Sequence, residues 1–241
     1  MPKRKIAIIG YTGLIGSTFL RNFSKKKKLK IYKYNSANIS NIRGILFDEV
    51  YCAGLPAQKW KANKFPKKDT KNTLYLIKNL KKIRCKKFFL ISTIDIHKKR
   101  EIYGINRLLL ENFIKNKFYN YLIIRLPGVF GKGLKKNIIF DLLNNNNIEK
   151  ISSIDEFQWY DLSLLYKDIS EYEKKFGLNT ICEFYSSPIK NSDIINLFPN
   201  LNIKKIKRKK IIYNYKPKNG FYKSKKFILK RIKKFIKEYE S

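Results

Sequence analysis

The sequence predicts an α/β fold built on a doubly wound parallel sheet, with a small α/β lobe at the C-terminal side. Three observations predict it. An apolar run, Ile6 to Ile9, stops at Gly10 and leads through Gly13 and Gly16 into a helical pattern bearing Phe19, Leu20 and Phe23. A nearly continuous apolar run, Lys87 to Thr93, reads as a central strand buried on both faces. Beyond Gly131 the pattern changes to shorter elements, which sets the C-terminal part apart.

The opening stretch is strand, tight turn and helix. Gly10 takes the backbone angles of a sharp turn, Gly13 lets a bulky anion come against the main chain, and Gly16 lets the helix lie close on the strand. Unpaired amides across Thr12, Gly13, Leu14, Ile15 and Gly16 then point at a phosphate. This context reads as a dinucleotide-binding turn of the Rossmann type. A structural turn in another α/β fold is the alternative.

Length and composition narrow the classes. The 241 residues suffice for one substantial core with an appended lobe. No apolar run approaches the ~20 residues of a membrane span. The basic start, Pro2 to Lys5, superficially resembles a secretory signal, but the apolar run behind it is broken by glycines with another use, so the chain is read as cytoplasmic. Cys52, Cys85 and Cys182 lie far apart and suggest neither a disulfide framework nor a zinc site, and a lone histidine, His97, argues against a His-based metal centre. The formal charge of +36 would attract nucleic acid, anionic lipid or phosphate-rich ligands. The lysines are nevertheless spread widely and accompany abundant Asn, Ile, Tyr and Phe, the signature of an A+T-rich coding sequence, so a biased surface is the plainer reading.

Taken in order, Leu29 to Tyr34 reads as a strand closed by the turn cluster Asn35-Ser36-Ala37-Asn38. A dinucleotide fold usually places an acid here to hold the adenosine ribose. This chain has Asn35 and Ser36 instead, with Lys33 and Arg43 nearby, so NADP is permitted as well as NAD. Glu49 to Cys52 is the next strand, and Ala53-Gly54 at its end lets a flat ligand approach the main chain or is an ordinary strand-to-loop turn. The segment Ala57 to Lys68 reads as a long loop that covers a ligand. From Thr70 to Ile83, Leu74, Ile77, Leu80 and Ile83 recur at helical spacing and predict a core helix. Ser92, Thr93 and Asp95 end the central strand where ligands bind in open α/β sheets. Tyr103 and Arg107 then open a helix four residues apart, on one face. A cation beside a phenol favours the phenolate and would lower the Tyr103 pKa, suiting it to proton transfer at an alcohol or carbonyl. A surface tyrosine with a solvated arginine is the plain alternative.

These residues, in this order, resemble the short-chain dehydrogenase/reductases, in particular the extended type that includes nucleotide-sugar epimerases and dehydratases. The resemblance rests on the glycine turn, the Ala53-Gly54 and Ile91-Ser92-Thr93 strand ends, the Tyr103-Gly104-x-x-Arg107 helix, and Arg125 to Gly131, similar to the segment lining the nicotinamide side in that family. It implies that Tyr103 is the acid/base, that Thr93 bonds the reacting oxygen, and that Pro127 lies on the cofactor. Arg107 stands where the family has lysine, so it keeps a cation there but relays no proton. Ile94 replaces an acid of the dehydratase subgroup, which puts a full dehydratase site in doubt.

The resemblance further implies a Rossmann domain, residues 1–133, and a substrate lobe, residues 134–241, partly interleaved with it. In the lobe, Ile138 to Leu143 and Leu162 to Ile169 read as helices, Ile181 to Tyr185 as a strand, and Ser192 to Leu197 as a helix capped by Ser192. Gln158, Trp159 and Tyr160 either contact a sugar or base or pack in the core. Lys225 to Tyr239 reads as an amphipathic helix docked through Ile228, Ile232, Phe235 and Tyr239, with an anionic membrane as the other surface it would suit. Lys204 to Lys210, followed by Tyr213 and Tyr215, reads as a solvated linker rather than a nucleic-acid contact. The expectation is an NAD- or NADP-dependent epimerase, dehydratase or reductase acting on a nucleotide sugar or similar polyol, with no specific nucleic acid and with a homodimer compatible. A cofactor-binding sensor or scaffold without turnover is the alternative, motivated by Arg107.

Overall fold

The structure is a computed structural model that describes residues 3–98, 100–201 and 209–240. In chain order its elements are β1 (Arg4–Ile9), α1 (Leu14–Phe23), β2 (Leu29–Tyr34), β3 (Leu46–Cys52), α2 (Lys59–Lys64), α3 (Pro66–Leu80), β4 (Arg84–Thr93), α4 (Ile102–Lys117), β5 (Tyr121–Leu126) and β6 (Gly128–Phe130). They continue as α5 (Ile138–Leu143), β7 (Glu156–Phe157), β8 (Trp159–Asp161), α6 (Leu165–Phe176), β9 (Thr180–Glu183), β10 (Ile189–Lys190), α7 (Asn191–Ile195) and α8 (Lys225–Glu240). Two compact units result, Met1–Arg125 with Leu164–Cys182, and Leu126–Ser163 with Glu183–Ser241. The expected division at residue 133 stands beside this one, in which the chain crosses at Arg125 and returns for Leu164–Cys182.

The first unit holds a six-stranded sheet in the order β2-β1-β3-β4-β5-β9. β1 runs parallel to both β2 and β3, and β3 to β4. This bears out the doubly wound expectation. Strand order reverses at β1, and the crevice beyond the carboxyl ends of strands at such a switch point is where open α/β sheets take ligands. Helices cover both faces. Phe19 and Phe23 of α1 lie 4.8 and 4.9 Å from the Tyr51 ring, which stacks on Phe89 at 4.6 Å. On the other face Leu76, Ile77 and Leu80 of α3 and Leu110 and Ile114 of α4 close over Val50, Phe88, Leu90 and Ile123.

Two expectations need correction here. The Ala57 to Lys68 stretch is not a loop: α2 occupies Lys59–Lys64, and α3 starts at Pro66, whose fixed φ suits a first helical position. Leu74 also faces outward, 52% exposed, because the buried residues of α3 are Asp69, Thr73, Leu76, Ile77, Asn79 and Leu80. Three of those residues are polar, so a search for apolar spacing settled on a neighbouring stripe.

In the second unit β6 pairs in parallel with β8, and β7 antiparallel with β10. Gln158, Trp159 and Tyr160 are core residues, not ligand contacts. The Gln158 amide donates to the carbonyls of Ser186 and Tyr215, and Tyr160 stacks on Phe184. α8 docks through Ile228, Ile232 and Ile236, while Tyr239 lies outside and donates to Asn144 Oδ1. Arg231 fixes the helix by donating to Asp161 Oδ2 at 2.6 Å. The cap of α7 is the Asp193 carboxylate, which accepts from the Lys190 amide; Ser192 is inside the helix. Tyr213 stacks on Phe157. Of the basic run Lys204 to Lys210, residues 204–208 lie outside the described residues. No helix among the described residues is long and apolar enough to cross a membrane.

Candidate active site

The glycine turn sits where the sheet order reverses. Gly10 has φ +82°, and a Cβ on it would stand 2.3 Å from the Ala53 carbonyl oxygen. A Cβ on Gly16 would stand 2.0 Å from the Gly10 oxygen, so both glycines are required by close approach. Gly13 is different. It is the N-cap of α1, has no side chain to cap with, and a Cβ there would meet only the Gly10 oxygen at 3.4 Å. The amides of Leu14, Ile15 and Gly16 are the first of the helix, and Thr12 and Gly13 are exposed beside them. Helix start, free amides and an open cap together fit an anion.

At the end of β2 the Asn35 side chain is engaged locally. Its Oδ1 accepts from the Ala37 amide, and the Asn35 backbone N–H donates to Asn38 Oδ1. Ser36 and Lys33 are exposed, and the Lys33 ammonium lies 5.8 Å from the Tyr11 ring. Ala53 and Gly54 follow β3 directly, with the Ala53 amide donating to the Ile9 carbonyl.

The second cluster gathers at the end of β4. Thr93 caps the 3-10 turn Ile94–His97, accepting from the Asp95 amide and donating to Asp95 Oδ2, both at 3.2 Å. Ser92, on the opposite face of the strand, is not part of this cluster. Its hydroxyl donates to Glu111 Oε1 at 2.6 Å, and Glu111 is also held by Arg125. Lys59 on α2 bridges Asp95 and Glu101, 2.7 Å from each. Burial would raise the Glu101 pKa, but the bonds and charges of Lys59, Asn63 and Lys98 bring it below the usual range. Asn63 ties α2 to α4 as well, accepting from the Tyr103 amide.

Tyr103 lies beneath this arrangement, 8% exposed. The Arg107 guanidinium stacks on its ring, 3.8 Å from the centroid. The pairing on one helical face is therefore present, yet its expected effect is outweighed. Burial pushes the Tyr103 phenol above its ordinary value, and Asp95 and Asp69 push the same way against Arg107 and Lys59. Arg107 is itself committed: it donates to Asp69 Oδ2 and the Pro56 carbonyl, each at 2.5 Å, and to the Tyr103 carbonyl at 3.3 Å. Asn106 donates to the same Asp69 oxygen. Tyr103 is thus a protonated phenol at neutral pH, and its hydroxyl has no hydrogen-bond partner among the described residues. Pro127 lies between β5 and β6 and belongs to the second unit.

Sequence reasoning missed Asp69, Asn106 and Lys59. Asp69 alone carried a signal, as the single acid between Glu49 and Asp95.

No protein-family model matches the chain, and no curated protein matches it. Solved structures do. RMD from Pseudomonas aeruginosa, complexed with NADPH, is similar with a TM-score of 0.74 at 14% identity over 99% of both chains. The dTDP-4-dehydrorhamnose reductase of Bacillus anthracis, in complex with NADP, gives 0.70 at 14% identity, again over 99% of both. The UDP-glucose 4-epimerase of Thermotoga maritima, with UDP-glucose, gives 0.69 at 13% identity over 98% of both. The fold is shared. The likeness read from a few motifs thus extends, as a likeness of fold, over nearly the whole chain, and at such identity the site is argued from its own residues.

Proposed function

We propose that the chain is an NAD(P)-dependent oxidoreductase of the epimerase, dehydratase or reductase kind, acting on a nucleotide-linked sugar or similar polyol. The observation that carries this reading is the open, uncapped start of α1 at Gly13, placed at the switch point of the sheet. Thr12, Gly13, Leu14, Ile15 and Gly16 would hold the pyrophosphate, and Ala53 and Gly54 would lie along the dinucleotide. Asn35 and Ser36 carry no charge that would repel a 2′-phosphate, so NAD and NADP both suit this end. The NADPH, NADP and UDP-glucose carried by similar structures support the same classes of ligand.

A bound nicotinamide dinucleotide would supply hydride exchange with a substrate carbon. The chain's own residues would do the rest. Tyr103, protonated and with an unused hydroxyl, gives a proton to the substrate oxygen, and Thr93 orients that oxygen. Arg107 acts through Tyr103, holding the ring while Asp69 holds Arg107. The exposed apolar residues Ile105, Leu108 and Leu109 of α4 supply a face for a homodimer.

A second reading, a dinucleotide-binding protein without turnover, is favoured by the commitment of Arg107 to Asp69 and Pro56. One experiment separates the two: a panel of UDP- and dTDP-linked sugars is assayed for product by chromatography together with nicotinamide absorbance, since epimerisation and dehydration return the hydride and change no net absorbance, for the protein and for Tyr103→Phe. The first reading expects turnover that falls at least ~100-fold in the variant with dinucleotide affinity retained. Turnover unaffected by the variant removes Tyr103 from the mechanism, and dinucleotide binding without turnover of any sugar leaves the second reading.

A further inference from the structure

α2 is a helix of six residues, too short to stand alone, and Ala62 is the one side chain it buries. Polar contacts therefore hold it in place, and two of its residues make them. Lys59 and Asn63 are one turn apart and share a face. Lys59 Nζ lies 2.7 Å from Asp95 Oδ1, and the other oxygen of Asp95 accepts from the Thr93 hydroxyl at 3.2 Å. Asn63 Oδ1 accepts from the Tyr103 amide at 3.1 Å. That amide lies in the first turn of α4, where the helix itself offers no acceptor, and the N-cap residue Glu101 makes no side-chain cap. The Glu101 carboxylate turns to α2 instead: its Oε2 is 2.7 Å from Lys59 Nζ and accepts from the Asn63 side chain at 3.1 Å.

We infer that Lys59 and Asn63 are positioning residues which act as one clamp, holding Thr93 through Asp95 at one end and Tyr103 through its amide at the other. The backbones already meet without them, since a Cβ on Gly104 would stand 2.2 Å from the Asp95 carbonyl oxygen. What α2 adds is side-chain direction. With Lys59 on one Asp95 oxygen, the other is kept for Thr93, and with Asn63 on its amide, Tyr103 enters α4 at a fixed angle. Arg107 does not share this work, because Asp69 and the Pro56 carbonyl occupy it. α2 contributes almost nothing to the core, and what it holds are the two side chains proposed to meet the substrate oxygen. Their use in turnover rests on the oxidoreductase reading; the clamp itself does not.

The test follows hydrogen exchange of the Tyr103 amide by NMR on the full chain with isotope-labelled tyrosine, the signal being assigned by its loss in Tyr103→Phe. Asn63→Ala should speed exchange about five-fold, the effect of a lost helix cap. Lys59→Gln, one turn away on α2, should do the same, and the double variant should exchange within about two-fold of either single one. Lys59→Arg should restore the original rate, and Lys61→Gln, on the exposed side of α2, should leave it within about two-fold. Circular dichroism and melting confirm that each variant folds. With a sugar that turns over, Lys59→Gln should lower kcat roughly 10- to 100-fold while dinucleotide Kd stays within about two-fold, and Lys59→Arg should recover it. The inference is overturned by Tyr103 exchange unmoved in Lys59→Gln, by an equal change in Lys61→Gln, by additive effects in the double variant, or by a kcat that Lys59→Gln leaves intact. If no sugar turns over, the oxidoreductase reading fails, and the exchange rates alone uphold or overturn the clamp.

Discussion

Asp69→Asn removes the carboxylate that answers the Arg107 guanidinium, and the cost follows from where the pair sits. Both side chains are 5% exposed, with Nη1 2.5 Å from Oδ2. Stripping one partner from a buried ion pair costs about 3–5 kcal/mol, because the remaining charge is left uncompensated. Arg107 keeps two neutral acceptors, the carbonyls of Pro56 and Tyr103, which place the loss near the lower end, about 3 kcal/mol. For a chain of this size that lowers Tm by roughly 6–12 °C. Urea unfolding followed by circular dichroism measures it by linear extrapolation. The double variant Asp69→Leu with Arg107→Met should recover most of the loss, since an apolar pair of similar volume carries no unpaired charge. A loss below about 1 kcal/mol in Asp69→Asn would refute the reasoning, showing that water screens the pair.

Alkaline pH should destabilise the fold. The Cys52 thiol is pushed up to about 12 by burial, and burial also raises the Tyr51 and Tyr103 phenols. The folded state favours the protonated forms, so stability is intact below about pH 9 and falls as pH rises, Cys52 alone removing up to about 1.4 kcal/mol per unit between about 9 and 12. Urea midpoints measured across that range check the sign, and a flat profile contradicts it. The proposed homodimer is checked by sedimentation: Leu108→Lys with Leu109→Lys should shift a dimer to monomer, and a wild-type chain that sediments as a monomer at tens of micromolar removes the α4 interface.

Much of the frame was legible because its causes are local. The glycine turn shows in the sequence since Gly10 and Gly16 answer to neighbours a few residues away or in the adjacent strand. β2 and α5 have the bounds their spacing predicts, Leu29–Tyr34 and Ile138–Leu143. Tyr103 and Arg107 share a face for the same reason, four residues being about one helical turn. What spacing does not carry is burial and distant pairing. Asp69 meets Arg107 across 38 residues of chain, and Lys59 reaches Asp95 across 36. Burial raises the phenol pKa, and Asp95 and Asp69 add to it, so together they outweigh the cation that was expected to lower it. The buried stripe of α3 was misplaced for a related reason: polar Asp69, Thr73 and Asn79 occupy it, so the apolar count settled beside it.

The most direct test of the central claim is thermal unfolding with NAD, NADH, NADP and NADPH, on the protein and on Gly13→Asp. The variant should fold, because a Cβ at position 13 has room and aspartate is a good N-cap, so the melting point without ligand should hold or rise slightly. It should lose anion binding, since its carboxylate fills and charges the place of the phosphate. The account predicts stabilisation of roughly 2.7 kcal/mol for the wild type at a hundredfold excess over Kd with at least one dinucleotide, and none for the variant. No shift with any of the four in the wild type would contradict the dinucleotide site, and an equal shift in the variant would place binding elsewhere.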